Sequence, residues 1–223
     1  MMTKPRMHAL ALCAARRRRD IISLALVFLL IYSFIWGWRT SFHGATVVFA
    51  TALIGLLLSG DATLAGSFRD AGFRLDTAAH AAALLAPMTG LIIAVTVLAG
   101  QLLGSIDFPT PHDAWMSLSE AFALGLAQQY VLLAFFYRRF ERLLGRNAVA
   151  VVATALVFAI FHLPNPFLTI VTLFAGLLCA AVYQRAPNLW INGLAHGLIS
   201  YHLYHALPLW ITGGLRVGPG YPG

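Results

Sequence analysis

Seven stretches of this chain carry no charged side chain: 21–38, 44–60, 81–106, 121–137, 147–163, 167–184 and 188–207. About 20 apolar residues in helical geometry cross a bilayer core. Runs of this length in lipid must satisfy their own backbone N–H and C=O groups, which helices do internally. Period-2 alternation is absent, so a β-barrel is excluded. The expected fold is all-α, a polytopic membrane bundle of about seven transmembrane helices. Composition agrees: 60% of residues are hydrophobic and 10% charged, against about 25% charged in a soluble domain. So few charges cannot cover a water-facing surface, and so little polarity cannot sustain a disordered chain.

The formal charge of +7 is read as membrane anchoring, not as nucleic-acid binding, because basic residues gather on the cytoplasmic side of membrane proteins. With the N-terminus in the cytoplasm and the runs alternating, 13 of the 15 Lys and Arg fall inside. Only Arg39 and Arg216 fall outside. The chain is therefore expected to be an integral multi-pass protein of the cell (inner) membrane, N-terminus cytoplasmic. Residues 1–20 form a basic arm, an anchor or a contact to anionic lipid headgroups. A cleaved signal peptide competes for this region, but Trp36-Gly37-Trp38-Arg39 offers no small-residue cleavage site. Residues 21–117 are read as N-terminal transmembrane helices, with 61–80 either an interfacial segment or a solvated loop. Residues 118–207 make a second group of helices, and the Gly- and Pro-rich tail 208–223 is expected to be irregular. Cys13 and Cys179 are too few for a disulfide framework.

Polar side chains at membrane depth are the informative ones, since they cost free energy and face a bundle interior. Gln128-Gln129 sit mid-run, either bonding a neighbouring helix or lining a site. Glu120 lies eight residues earlier, about 12 Å of helical rise away. His162 closes the fifth run before Pro164-Asn165-Pro166, as a helix-end cap or as a reactive group. Asn192, His196 and Ser200 follow at i, i+4 and i+8, a polar stripe on one face. Gly193 and Gly197 admit a close neighbour there. His202 lies off that face, so zinc ligation through His162, His196 and His202 or His205 would need a helix break.

Residues 118–205 resemble the CPBP family, also called ABI, which contains the CAAX prenyl endopeptidases and other intramembrane proteases. Its members carry a Glu-Glu pair followed by Arg, then Phe-x-x-x-His, then His-x-x-x-Asn or His-x-x-x-Asp. Phe158-x-x-x-His162 is the second motif in full, with Gly176-Leu177-Leu178, Tyr183-Gln184-Arg185, Asn188-Leu189-Trp190 and His196 in order behind it. The resemblance implies a water-activating position at Gln128 and Gln129, an assisting base at His162, and an oxyanion-holding pair in His196 and Ser200. Phe158 and Asn192 are expected to contact substrate. No cofactor and no metal are expected, and the partners implied are membrane lipid and a membrane-associated peptide or protein. Three positions depart from the family: Gln128-Gln129 replace the glutamates, Leu133 stands where Arg is expected, and Ser200 replaces Asn or Asp.

The exchange of glutamate for glutamine decides the chemistry open to the chain. A carboxamide donates and accepts hydrogen bonds but takes up no proton near neutral pH. It can orient a water; the base must then be His162, and an imidazole with its unperturbed pKa of ~6.5 suits that task. Three readings stay open on sequence: a peptidase with His162 as base, a non-catalytic relative that binds a lipidated peptide or partner helix, and a transporter or structural subunit.

Overall fold

The computed structural model describes residues 4–59 and 68–222. Among these there is no strand. Helix α1 (Lys4–Ser33) runs on as a wide π turn through Phe34–Trp38, so the basic arm and the first run are one rod. Then come α2 (Ala45–Ser59), α3 (Ala78–Leu103) and α4 (Pro111–Gln129). The α4 rod widens into a π segment, Tyr130–Tyr137, and ends as α5 (Arg138–Leu144). Helices α6 (Ala148–Ile160), α7 (Pro166–Arg185), α8 (Leu189–Ala206) and α9 (Leu209–Thr212) complete the order. The bundle is all-α, as expected. Four helical stretches are long and apolar enough to cross a membrane: Ala11–Trp38, Ala78–Leu103, Pro111–Leu144 and Pro166–Arg185. Ala45–Leu57 and Ala148–Ile160 are shorter apolar helices. The α8 run is the polar one, with Asn192, His196 and Ser200 along it.

The α4–α5 rod is the axis of the bundle. Leu132, Leu133, Ala134, Phe135, Phe136 and Tyr137 are consecutive and each is at most 3% exposed. A helix apolar and buried all round is a central one. Outer helices invert the rule of water-soluble proteins, since Leu91, Leu98 and Leu102 on α3 and Phe174 on α7 face outward, where lipid is as apolar as they are. Helix starts are capped from the sequence: Asn147, Asn165 and Asn188 each accept backbone N–H bonds at the N-termini of α6, α7 and α8.

On the expected cytoplasmic side, α1 is tied to α5 through charge. Asp20, 3% exposed, accepts two bonds from Arg142, at 2.9 and 2.7 Å. Arg139, 1% exposed, donates to Ser23 Oγ at 2.9 Å and lies 3.6 Å over the Phe135 ring. Of the 61–80 segment, Asp61 and Leu64 lie outside the described residues. The part from Phe68 onward is held against the α7–α8 corner: Tyr183 Oη donates to the Ala71 carbonyl, Leu189 N–H to Gly72, and Asn188 to Arg74. Phe68 and Leu75 remain about four-fifths exposed beside Arg74 and Asp76. The hydrogen bond from Arg74 holds the Asp76 carboxyl down at about 2.

The tail departs from its expected irregularity. It forms α9 and two 3₁₀ turns, with Thr212, Gly213 and Gly218 buried. Asn165 explains why: its side chain, fully buried, donates to the carbonyls of Thr212 and Arg216 while its oxygen caps α7. Gly218 N–H donates to the Leu163 carbonyl. Glycines at positive φ (Gly213, Gly214 and Gly218) let the chain turn tightly enough to pack on the α6–α7 turn.

Candidate active site

The site begins with how closely α4 and α8 approach. A Cβ on Gly125 would fall 2.9 Å from the Gly193 carbonyl oxygen, and one on Gly193 would fall 2.9 Å from Leu126 Cα. A Cβ on Gly197 would fall 2.8 Å from Phe122 Cα. Three glycines thus remove the side-chain layer between the two helices, the small-residue packing that lets membrane helices touch backbone to backbone. Overpacking such a contact costs ~1–3 kcal/mol. Gly197→Leu is expected to lower the thermal unfolding temperature in detergent, and a variant as stable as the wild type would show that the helices can part freely.

This contact delivers Gln129 to His196. The Gln129 amide nitrogen lies 3.0 Å from His196 Nδ1, and Gln129 is 1% exposed. An amide N–H₂ only donates, so Nδ1 is the acceptor and His196 carries its proton on Nε2. The Gln129 Oε1 atom is buried with no hydrogen-bond partner among the described residues. The π segment begins directly after Gln129; widened turns of this kind recur at functional sites.

His162 enters from the other side. Its Nδ1 lies 2.7 Å from the Phe158 carbonyl oxygen, one turn back on α6. A carbonyl only accepts, so Nδ1 is protonated and Nε2 of the neutral ring holds a lone pair. The Phe158 ring stands edge-on to His162 at 4.8 Å and tilted against His196 at 5.9 Å. Phe158 therefore packs against both imidazoles and orients that of His162 through its carbonyl. The Phe-x-x-x-His spacing has a plain physical basis, since residues four apart stack on one helix face.

A cavity of about 430 Å³ is lined by Gln128, Gln129, Phe158, His162, His196 and Ser200 together. Six of the seven expected site residues thus share one cavity. Asn192 does not: it is fully buried and donates to the Asn188 carbonyl at 2.7 Å. Leu133 is fully buried in the apolar cluster with Leu132, Tyr137 and Tyr183, away from the cavity lining. Glu120 is exposed and is no part of the lining either. His202 donates to the Leu198 carbonyl, and no three His, Cys, Asp or Glu side chains gather around a metal position among the described residues.

Sequence reasoning placed the whole site in residues 118–205, and this is too narrow. Arg39 at the end of the first rod, Thr89 on α3, and Leu215 and Val217 in the tail line the same cavity. Thr89 Oγ1 is buried without a hydrogen-bond partner. An isolated Thr two residues after Pro87 in an otherwise apolar run was the available signal. Among the described residues no carboxylate lines the cavity, and Arg39 is its one permanently charged lining residue. A second, almost wholly apolar cavity of about 310 Å³ shares Leu124, Gln128, Phe158, His162 and Val217 with the first and extends toward α1 and α2.

Comparison with known proteins gives one finding. Residues 110–202 match the family model described as type II CAAX prenyl endopeptidase Rce1-like. That interval holds Gln128, Gln129, Phe158, His162, His196 and Ser200. No curated protein and no solved structure matches the chain significantly.

Proposed function

We propose that this chain, which through residues 110–202 belongs to the type II CAAX prenyl endopeptidase Rce1-like family, hydrolyses a peptide bond of a membrane-associated substrate with His162 as the general base. The observation that carries this reading is the His162 Nδ1 bond to the Phe158 carbonyl. It leaves Nε2 unprotonated in a cavity shared with Gln129 and His196, as a proton acceptor must be. A water held by the unpartnered Gln129 oxygen gives its proton to His162 and attacks the scissile carbonyl. The His196 Nε2–H, set by the Gln129 amide on Nδ1, is the donor available to the developing oxyanion, with Ser200 one turn along the same helix. His162 then returns its proton to the leaving amine. The adjoining apolar cavity suits the hydrophobic part of a substrate that arrives from the bilayer.

The same reading sets the chain in the cell membrane with its N-terminus in the cytoplasm, which the 13-to-2 division of Lys and Arg supports. The test is cleavage of a membrane-inserted reporter peptide by purified protein in nanodiscs. Cleavage that continues undiminished in His162→Ala overturns the assignment.

A second reading has its own support, the absence of any carboxylate from the lining among the described residues. On that reading the cavity binds a lipidated peptide or partner helix without cutting it. Gln128→Glu combined with Gln129→Glu returns a proton-accepting side chain to the cavity. An inert wild type beside a cleaving double variant supports the binding role; a wild type that already cleaves as fast as the double variant removes it.

A further inference from the structure

In the lining of the same cavity a serine and a histidine other than those of the proposed site are arranged as a nucleophile and its base. Ser117, in the second turn of α4, has its Oγ 3.2 Å from His205 Nε2, near the end of α8. His205 Nδ1 lies 3.0 Å from the Asp107 carbonyl oxygen. That oxygen only accepts, so Nδ1 carries the proton and Nε2 accepts the Ser117 hydroxyl hydrogen. The ring is fixed from several directions. Asp107 N–H donates back to the His205 carbonyl at 2.8 Å, and the rings of Tyr201, Tyr204 and Phe108 stand 4.7, 5.0 and 6.3 Å from the imidazole.

A serine–histidine bond between two helices can serve only to join them. Three features here go beyond that. The tautomer is the one that withdraws a proton from Oγ. The base is oriented by a third group through its other nitrogen, which is the relation found in nucleophilic active sites. Both side chains line the 430 Å³ cavity, whose lining among the described residues holds the cation Arg39 and no Asp or Glu.

We propose that Ser117 and His205 form a second reactive centre that takes the acyl group of an apolar carboxylic ester. Ser117 Oγ adds to the ester carbonyl carbon as its proton passes to His205 Nε2. The tetrahedral adduct collapses, the C–O bond to the alcohol breaks, and the alcohol leaves with the proton from Nε2. Water then adds to the acyl-serine carbonyl, gives a proton to Nε2, and the acyl–Oγ bond breaks. Oγ recovers its proton from Nε2 and the carboxylic acid departs. The apolar walls, among them Leu85, Ile92, Leu124, Leu178 and Ile199, match an ester with a hydrocarbon acyl chain.

The experiment uses a biotinylated alkyl fluorophosphonate, which esterifies an activated serine with loss of fluoride. The full-length protein in nanodiscs is labelled and the modified peptide is located by mass spectrometry. The expected result is a single label on Ser117. It is lost in Ser117→Ala, and its rate falls by at least ~10²-fold in His205→Gln, the lower bound for loss of a general base. Ser119→Ala, whose hydroxyl bonds the Trp115 carbonyl of its own helix, labels at the wild-type rate. An unlabelled wild type, a label on Ser200 instead, or a rate unchanged in His205→Gln overturns the proposal. Because the site is mapped on the wild-type protein, misfolding of a variant does not obscure the answer. Peptide cleavage is not read in this experiment, so the reading built on His162 stands or falls separately.

Discussion

Replacing His162 by alanine is expected to slow hydrolysis of a membrane-inserted peptide by ~10²–10⁴-fold, the usual contribution of a positioned general base. The cavity explains the size of the effect. Among the described residues its lining holds no Asp or Glu, the amides of Gln128 and Gln129 take up no proton, and His196 has its Nδ1 lone pair engaged by Gln129. The other imidazole of the lining, His205, is already bonded to Ser117 and to the Asp107 carbonyl. His162→Gln sharpens the experiment. A glutamine amide can still donate to the Phe158 carbonyl, so a purely structural role for His162 would be preserved, whereas proton transfer would not. The two variants are therefore expected to lose turnover alike, chiefly in kcat, while thermal unfolding of the Gln variant stays near that of the wild type. Added imidazole is expected to restore part of the rate to the alanine variant. Full activity in His162→Gln would show that the side chain only shapes the turn.

What could be read from the chain in advance follows from which forces act locally. Hydropathy is local: a run such as 81–106 has no stable alternative to a helix in lipid, so the all-α bundle was legible residue by residue. Asn147, Asn165 and Asn188 cap α6, α7 and α8; a cap acts within three residues, a local signal that the run boundaries at 147, 167 and 188 did not use. The meeting of Gln129 with His196 was legible only in part. Gly193 and Gly197 announced a close neighbour, but not that Gly125 on α4 would supply the third small residue. The meeting of both with His162 depended on helix tilt, which no single segment encodes. Arg39 and Thr89 were missed because a terminal Arg reads as an anchor and a lone Thr as an ordinary helix residue. Their place in the cavity comes from packing between halves of the chain. The tail misled for a related reason: Gly and Pro report turns, and only the buried Asn165 side chain, 47 residues from Thr212 in sequence, makes those turns a fixed wall.

The charged residues Asp20, Arg139 and Arg142 meet between α1 and the α4–α5 rod, and they carry the largest expected effect on stability. Asp20→Leu is expected to destabilise the bundle by ~3–5 kcal/mol, the cost of breaking a buried ion pair from one side. Arg142 makes two parallel bonds to this carboxylate, the bidentate geometry in which such bonds are strongest. Arg142 retains partial exposure and can turn toward solvent or headgroups. Arg139 cannot: it is 1% exposed, its Nε sits 3.9 Å from Asp20, and Ser23 and the Phe135 carbonyl and ring surround it. Removing Asp20 takes away the carboxylate that lies 3.9 Å from that guanidinium between α1 and the central rod. The double variant Asp20→Leu with Arg139→Met decides whether charge imbalance or lost packing is responsible. If the imbalance dominates, the double variant recovers most of the stability lost in Asp20→Leu, because a fully apolar replacement of a buried pair is often neutral. Denaturant titration in detergent reads both. Additive losses in the double variant would show that Asp20 and Arg139 act independently and that α1 is held by apolar contacts such as Val27 alone.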